Sequence, residues 1–377
     1  MPLQSRVRFH PGNNLHEKAC DFFAGLIEAG GHEKTCKNET VNIHPAHENE
    51  IRSTNIKETY KKNALLLILA AVVLCGLPAV TLAQGCFPQR TWVGSSGSWF
   101  EPTNWNDGHI PTSGTSAQIN NGGAAAIDSP GAEARDLTLG LNAGDSGTVS
   151  LNAGSLTIVN DTQVGAAGTG TLNITNGETV SAAVAVVAGS SGSIGTVSVD
   201  GASLTIRGGA CVVGGDSGPG GIGLMTVTNG GTVTAASVHV YKSGTLTGNG
   251  TVSMGSGSGT ATVEGTVSRS NGTLTITGNL SLTSIAATQF SVTPQDNPNQ
   301  ADISVSGTAT LDGRLLVTMT GNFTPGTTYT LLHCEGLRNG TFSSVSINYP
   351  CECFKPVIQY DDHNVKLYLG PAACCTQ

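Results

Sequence analysis

The chain has 377 residues, of which 51 are glycine, 12% are charged and 5% are aromatic, and its formal net charge at pH 7 is −8. A steady supply of apolar residues, 38% of the chain, excludes an intrinsically disordered protein. The acidic balance argues against a nucleic-acid partner.

The first predicted element is a secretory signal peptide at residues 61–83, KKNALLLILAAVVLCGLPAVTLA. Two lysines precede an apolar run, and small residues end it, with Ala83 at the expected cleavage site. A membrane anchor is the alternative, but the run 64–77 has only 14 residues and a span needs about 20. We therefore expect no membrane span in the mature chain.

Residues 1–60 precede this signal and contain five of the nine histidines. A zinc site is conceivable there, but the His and Cys spacings follow no regular zinc-binding pattern. We interpret 1–60 as an extension absent from the mature protein. It is either an extended signal region or a consequence of a start residue that lies downstream of Met1.

The segment 84–114 contains all three tryptophans of the chain, Trp92, Trp99 and Trp105, within TWVGSSGSWFEPTNW. Two interpretations compete: the three rings form a ligand platform, or they cap the end of the segment that follows them in the chain. A terminal repeat needs its strand edge and apolar end covered, and Trp buries more apolar area than any other side chain. We therefore favour a cap.

The middle of the chain repeats itself with a period near 24 residues. Copies begin with GTVSLNAGSLTIV at Gly147, GTLNITNGETVSA at Gly170, GTVSVDGASLTIR at Gly195 and GLMTVTNGGTVTA at Gly223. Each copy has three short alternating segments, which indicate half-buried strands. An Asn/Asp-Gly corner and a Gly-rich corner separate them, at places that tolerate a positive φ.

Three strands and three corners per repeat predict an all-β fold, a right-handed parallel β-helix over residues 115–323. A β-sandwich is the alternative, but the regular column of corner residues argues against it. Residues 324–377 are predicted to form a β closing segment with a Cys-rich tail.

Two later segments carry a family resemblance. The stretches GTLTGNGTVSMGSGSGTATVEGTVSRSNGTLTITGNLSLTSIAATQFSV at 244–292 and ADISVSGTATLDGRLLVTMTGNFTPGTTYTLLHCEGLRNGTFSSVSI at 301–347 resemble the closing coils of bacterial autotransporter-like passenger domains. The WxGxxGxW pattern at 92–99 resembles the start of the same class of secreted repeat proteins. After Leu369 the chain reads GPAACCTQ, so we expect passenger-like material without the transporter barrel of that family.

The resemblance implies a secreted or cell-surface rod with a structural or adhesive, non-catalytic role. A carbohydrate-active or carbohydrate-binding β-helix is the alternative, because β-helices also carry such functions. Partners would be cell-envelope or extracellular glycans or proteins. We expect no cofactor, no metal and no catalytic residues.

Three motifs with possible chemistry have simpler explanations. Gly215-Asp216-Ser217-Gly218 resembles a serine-protease nucleophile segment, but it occupies the Gly-rich corner of its repeat, and no histidine lies in a supporting motif. The acidic residues of the coils are scattered, whereas glycoside cleavage needs two converging carboxylates. The adjacent pair Asp361-Asp362 is better explained as a hairpin turn.

A column of hydroxyls is predicted on the outer face of one strand set, at Thr157, Ser181, Thr205 and Thr234. Flat threonine ladders can bind ice, but β-propensity on an exposed face explains this column more simply.

Cysteines cluster near the C-terminus. In a secreted chain we expect them to form disulfides that staple the tail rather than a metal site; the candidates are Cys334, Cys351, Cys353, Cys374 and Cys375. Cys211 falls on the inward face of a coil and is predicted to be a buried free thiol.

Overall fold

The computed structural model describes residues 88–255, 257–350 and 354–372. All of them belong to one compact unit, Leu82–Gln377. The extension 1–60 and the signal peptide 61–83 lie outside the described residues, as do four of the candidate disulfide cysteines: Cys351, Cys353, Cys374 and Cys375. Within the described ranges there is no helix of the length and hydropathy that a membrane crossing requires.

The chain folds as a β-solenoid with three faces, which confirms the predicted all-β, parallel β-helix class. The strands form three eleven-stranded sheets; each turn after the first contributes to all three, whereas the first turn contributes a strand to two of them. We call them sheets 1, 2 and 3 in the order in which a turn visits them.

Sheet 1 is parallel throughout. Its strands are β1 (Gln89–Thr91), β3 (Ser116–Ile119), β6 (Leu137–Leu139), β9 (Asp161–Val164), β12 (Val184–Val187), β15 (Ala210–Val213), β18 (Ser237–Val240), β21 (Thr260–Val263), β24 (Asn279–Leu282), β27 (Ala309–Leu311) and β30 (Arg338–Gly340).

Sheet 2 is also parallel throughout and includes most of the longer strands. Its strands are β2 (Ser96–Ser98), β4 (Asn121–Ile127), β7 (Ser146–Leu151), β10 (Thr169–Thr175), β13 (Ile194–Asp200), β16 (Ile222–Thr228), β19 (Gly244–Gly248), β22 (Thr266–Arg269), β25 (Ala287–Val292), β28 (Arg314–Met319) and β31 (Ser344–Asn348).

Sheet 3 is parallel until its last two strands, which form an antiparallel hairpin on its C-terminal edge. Its strands are β5 (Ala132–Ala134), β8 (Ser155–Ile158), β11 (Thr179–Ala182), β14 (Ser203–Ile206), β17 (Thr232–Ala235), β20 (Thr251–Met254), β23 (Leu274–Thr277), β26 (Ile303–Val305), β29 (Thr328–Cys334), β32 (Phe354–Tyr360) and β33 (Asn364–Pro371).

The alternation of apolar and polar residues decides which side chains enter the core. In β10, for example, Leu172 and Ile174 are buried, whereas Thr171 and Asn173 point outward and are only half-buried. Because every strand pairs in register with the strands of the coils above and below, the inward residues stack into continuous apolar columns.

A column of glycines explains why the repeats begin with Gly. Gly147, Gly170, Gly195, Gly223 and Gly244 pair with one another along sheet 2. A Cβ on Gly195 would lie 2.3 Å from the carbonyl oxygen of Val164, and the other four are equally crowded by backbone atoms. The glycine is therefore required by close approach of the neighbouring corner.

The Asn-Gly corner has the predicted backbone conformation. Asn176 and Asn229 adopt φ values of 59° and 52°, and the glycine that follows each is also left-handed. Asn and Gly tolerate this region best, which explains their recurrence at this place in the repeat.

The parallel ladder extends beyond the predicted range 115–323 at both ends. It begins at Gln89, because the Trp-rich segment forms the first two strands of the solenoid and a short 3-10 helix, Pro102–Asn104, follows them. At the other end it continues to Asn348, and the β32–β33 hairpin then adds Phe354, Leu367 and Leu369 to the core.

Candidate functional site

A polar groove crosses sheet 3 near the C-terminal end of the solenoid. It has a volume of about 530 Å³. Its lining residues are uncharged or histidine, and they are Thr273, Thr275, Asn299, Gln300, Ala301, Ser304, Thr330, His333 and Asn364.

The floor of the groove is an outward column of sheet 3. Thr275 pairs with Ser304, Ser304 with His333, and His333 with Asn364, on β23, β26, β29 and β33. Strands are about 4.8 Å apart, so these four side chains follow one another over roughly 14 Å. This set is not evident in the sequence, because its members are about thirty residues apart.

One side of the groove is formed by an enlarged corner. Between sheets 2 and 3 the ordinary corner is short, as in 176–178 between β10 and β11, whereas residues 293–302 separate β25 from β26. Insertions in one repeat of a solenoid form loops on one face, often the binding face. Here the loop 293–302 places Asn299, Gln300 and Ala301 over sheet 3.

Hydrogen bonds fix this loop to the floor. The Gln300 side-chain amide donates to Thr273 Oγ1 at 2.8 Å, and that hydroxyl donates to the carbonyl of Ala301 at 2.6 Å. The wall of the groove is therefore held by its own lining residues.

A buried charge cluster anchors the same loop from below. Arg269, whose side chain is only 4% exposed, contacts Asp296 at 2.8 Å and Asp302 at 3.2 Å. Burial raises the pKa of Asp302 to about 7 despite Arg269. Burial also acts to raise the pKa of Asp296, but hydrogen bonds from Arg269 and Thr293 outweigh it and lower that pKa. Asp296 in the first half of the loop and Asp302 at its end are thus held by one guanidinium.

The far end of the groove is oriented by a second network. Asn364 donates from Nδ2 to Asp361 Oδ1 at 2.8 Å, which leaves its Oδ1 to accept from His333 Nδ1 at 2.9 Å. In this arrangement His333 carries its proton on Nδ1, and Nε2 is an acceptor. Burial acts to raise the pKa of Asp361, but hydrogen bonds from Lys366, the His363 backbone and Asn364 outweigh it and lower that pKa.

The three tryptophans lie at the opposite end of the solenoid, in its first coil. Trp92, Trp99 and Trp105 are 1%, 0% and 2% exposed and belong to the apolar core. Trp105 meets both other rings edge to face, with centroids 5.1 Å from Trp92 and 4.9 Å from Trp99. No indole face is open to a ligand, which favours the cap over the platform.

The predicted disulfides of the tail stay a prediction, because the other four candidate cysteines lie outside the described residues, whereas Cys334 lies within them. It is a buried free thiol on the inward face of β29, and its Sγ donates to the carbonyl of His363 at 3.4 Å. Burial raises the pKa of this thiol. Cys211 is the other free cysteine of the described residues, as predicted; it is fully buried 4.0 Å from the sulfur of Met225, and burial raises its pKa to about 12.

The Gly215–Gly218 motif forms a corner loop, as expected. It is closed by an antiparallel bridge between Gly215 and Pro219, and it follows β15. The neighbouring strand β18 carries a pair that no sequence motif indicates: His239 Nε2 lies 3.1 Å from Glu264 Oε1 of the next coil, and the His239 ring stacks on Tyr241.

Several acidic side chains brace corners of the solenoid. Asp200 accepts hydrogen bonds from Thr228 and Asn229 of the next coil, and Asp128 accepts one from Asn152. Asp361 and Asp362 lie in the turn between β32 and β33, where a hairpin was predicted.

Among the residues described here, no three His, Cys, Asp or Glu side chains are grouped as a metal ion would need.

The predicted hydroxyl column is present on sheet 3. Thr157, Ser181, Thr205 and Thr234 pair in register and point outward. A second outward column runs parallel to it through Thr179, and it is this second column that continues into the groove.

Comparison with known protein families and with curated proteins finds no match to this chain.

Proposed function

We propose that the mature chain is a secreted or cell-surface rod with a structural or adhesive, non-catalytic role. The observation that carries this proposal is the continuous ladder of stacked coils from β1 to β31, with the tryptophans in the core of the first coil and the hairpin adding to the core at the other end. Ten steps of about 4.8 Å give a rod roughly 50 Å long.

The signal-like segment 61–83 and the resemblance to autotransporter passengers support the proposed location. The outer surface also suits contact with water and with other surfaces. Its columns of Thr, Ser and Asn offer hydrogen-bonding groups on two sheets. Such a surface can make many weak contacts without burying charge.

The arrangement of the carboxylates supports a non-catalytic role over the enzymatic alternative. Polysaccharide cleavage needs two carboxylates that face one bound sugar. In this chain Asp200, Asp296 and Asp302 have structural partners at corners, and Glu264 pairs with His239 on a different sheet from the groove. These acids hold the coils together.

The proposal is tested by expressing the full chain, with its own leader, in a Gram-negative host and fractionating the cells. We expect a product that begins near Gln84, as read by mass spectrometry, in the envelope or medium. The matched control is Leu67→Arg, which breaks the apolar run and should retain uncleaved protein in the cytosol. An uncleaved wild-type chain in the cytosol, or turnover of a polysaccharide by the mature chain, would overturn the proposal.

A further inference from the structure

We propose that the groove on sheet 3 binds a neutral oligosaccharide. This inference rests on the proposed function and names the ligand class through which the rod would adhere. The juxtaposition that carries it is a walled, uncharged column of side chains, Thr275–Ser304–His333–Asn364, beside the loop 293–302.

The chemistry of the lining selects the ligand. Hydroxyl, amide and imidazole groups both donate and accept hydrogen bonds, and the described lining residues include no Asp, Glu, Lys or Arg. An acidic glycan or a phosphorylated ligand would find no cation in this lining. A ligand dense in hydroxyl groups and without charge matches it, and a neutral oligosaccharide has that composition.

The groove is also preorganised. Gln300 and Thr273 hold the wall, Arg269 anchors the loop beneath it, and Asp361 orients Asn364 and through it His333. Side chains that are fixed before binding lose less conformational freedom when the ligand arrives. The same outward column continues into earlier coils, where short corners provide no such wall.

The shape of the groove fits a chain more than a single sugar. Its floor follows the solenoid axis for roughly 14 Å, and equivalent polar positions recur at each strand. A repeating ligand can therefore meet a hydrogen-bonding side chain of the floor at each step. The volume of about 530 Å³ falls in the range of ordinary ligand sites.

The test is calorimetric titration of the mature chain with a panel of neutral hexasaccharides: β-1,4-glucan, β-1,3-glucan, β-1,4-mannan and β-1,4-linked N-acetylglucosamine. Hexagalacturonate is the acidic probe. We expect saturable binding of at least one neutral member and at least tenfold weaker binding of the acidic probe. If no neutral member binds at millimolar concentration, or if hexagalacturonate binds equally well, the inference is wrong.

A pair of matched variants locates the site. Ser304→Trp fills the groove, whereas Ser203→Trp places the same side chain in the same outward column where no wall is present. We expect at least a tenfold loss of affinity for the first and less than a twofold change for the second. Equal affinity of Ser304→Trp and the wild-type protein would overturn the assignment.

A second variant covers the case in which Ser304→Trp fails to fold. Gln300→Ala removes one exposed amide from the wall and is expected to weaken binding severalfold; unchanged affinity would count against the groove. Fractionation of cells that express Ser304→Trp separates this inference from the proposed function. If Ser304→Trp is exported normally but does not bind, the groove is the binding site and the proposed role is unaffected. If the wild-type chain is not exported, the proposed role is wrong whatever the groove binds.

Discussion

The indole N–H of Trp105 donates to the backbone carbonyl of Trp99 at 2.9 Å, and the two rings meet edge to face. This hydrogen bond joins the short helical segment of the first coil to the end of β2. The aromatic layer is thus held by a directional bond as well as by burial. Its residues are therefore expected to contribute to stability.

The first prediction concerns this layer. Trp99→Ala should lower the free energy of unfolding by about 3–5 kcal/mol, because it empties a fully buried site. Trp105→Phe should cost about 1–3 kcal/mol, since it leaves the Trp99 carbonyl without its donor. Denaturant unfolding measures both. The control is Val93→Ala, at a side chain 55% exposed in the same segment, with a change within about 0.5 kcal/mol.

The outcome that would restore the ligand-platform interpretation is specific. It is an unchanged unfolding midpoint in Trp99→Ala together with a loss of glycan binding.

The second prediction concerns the glycine column. Gly195→Ala should destabilise the protein by about 1–3 kcal/mol or more, because its Cβ would lie 2.3 Å from the Val164 oxygen and 2.5 Å from the Ala188 nitrogen. Gly218→Ala, where a Cβ meets nothing within 4 Å, is the control and should be nearly neutral. Melting temperatures of the two variants that coincide would contradict this explanation of the repeat signature.

The third prediction concerns the two buried thiols. Cys211 and Cys334 should resist iodoacetamide in the native protein, because both are buried and burial raises the pKa of each. Both should be alkylated after unfolding in denaturant without reductant, as read by peptide mass spectrometry. Labelling of Cys334 only after reduction would show that it forms a disulfide after all.

The fourth prediction is a pH dependence centred on Asp302. Its folded-state pKa of about 7 lies above the value of about 3.9 in an unfolded chain. The folded state therefore binds the proton more tightly, and the contribution of Asp302 to stability should be complete below about pH 4 and be lost as the pH rises towards 7, by up to about 4 kcal/mol.

The groups that face Asp302 are Arg269 and Asp296, and their effects can be separated. The pKa of Asp296 is lowered, so its contribution is lost only at more acidic pH, below its ordinary value. Asp302→Asn should flatten the slope between pH 4 and 7, whereas Asp362→Asn, an exposed carboxylate, should keep it. Melting temperatures at half-unit pH intervals test this; identical slopes in all three proteins would rule out Asp302 as the source.

The sequence predicts the solenoid because its determinants are local and periodic. A glycine such as Gly170 and a left-handed corner such as Asn176 recur at fixed places in each repeat, and alternation between them decides which side chains enter the core. The sequence of the Trp-rich segment does not indicate that it forms strands of the solenoid. Its strands are only three residues long, and their pairing with β3 and β4 depends on the next coil.

The groove could not be predicted, because its residues meet only through the register of the ladder. Thr275, Ser304, His333 and Asn364 follow one another at intervals of about thirty residues, which lie outside the repeat of about 24 residues that the sequence shows. The one usable signal was the length of the corner 293–302. The alternation of β29 also places the Cys334 thiol on the inward face, which composition alone does not indicate.

The register of the glycine column makes each coil an interchangeable unit. Gly170 and Gly195 occupy equivalent positions, so a chain in which 170–194 is deleted or duplicated keeps the same ladder on both sides. Such a change would shorten or lengthen the molecule by one strand spacing and leave the tryptophan layer and the groove as they are. The length of the solenoid can therefore change through the number of coils, while the groove changes through the length and sequence of the corner 293–302. Neither change requires the other.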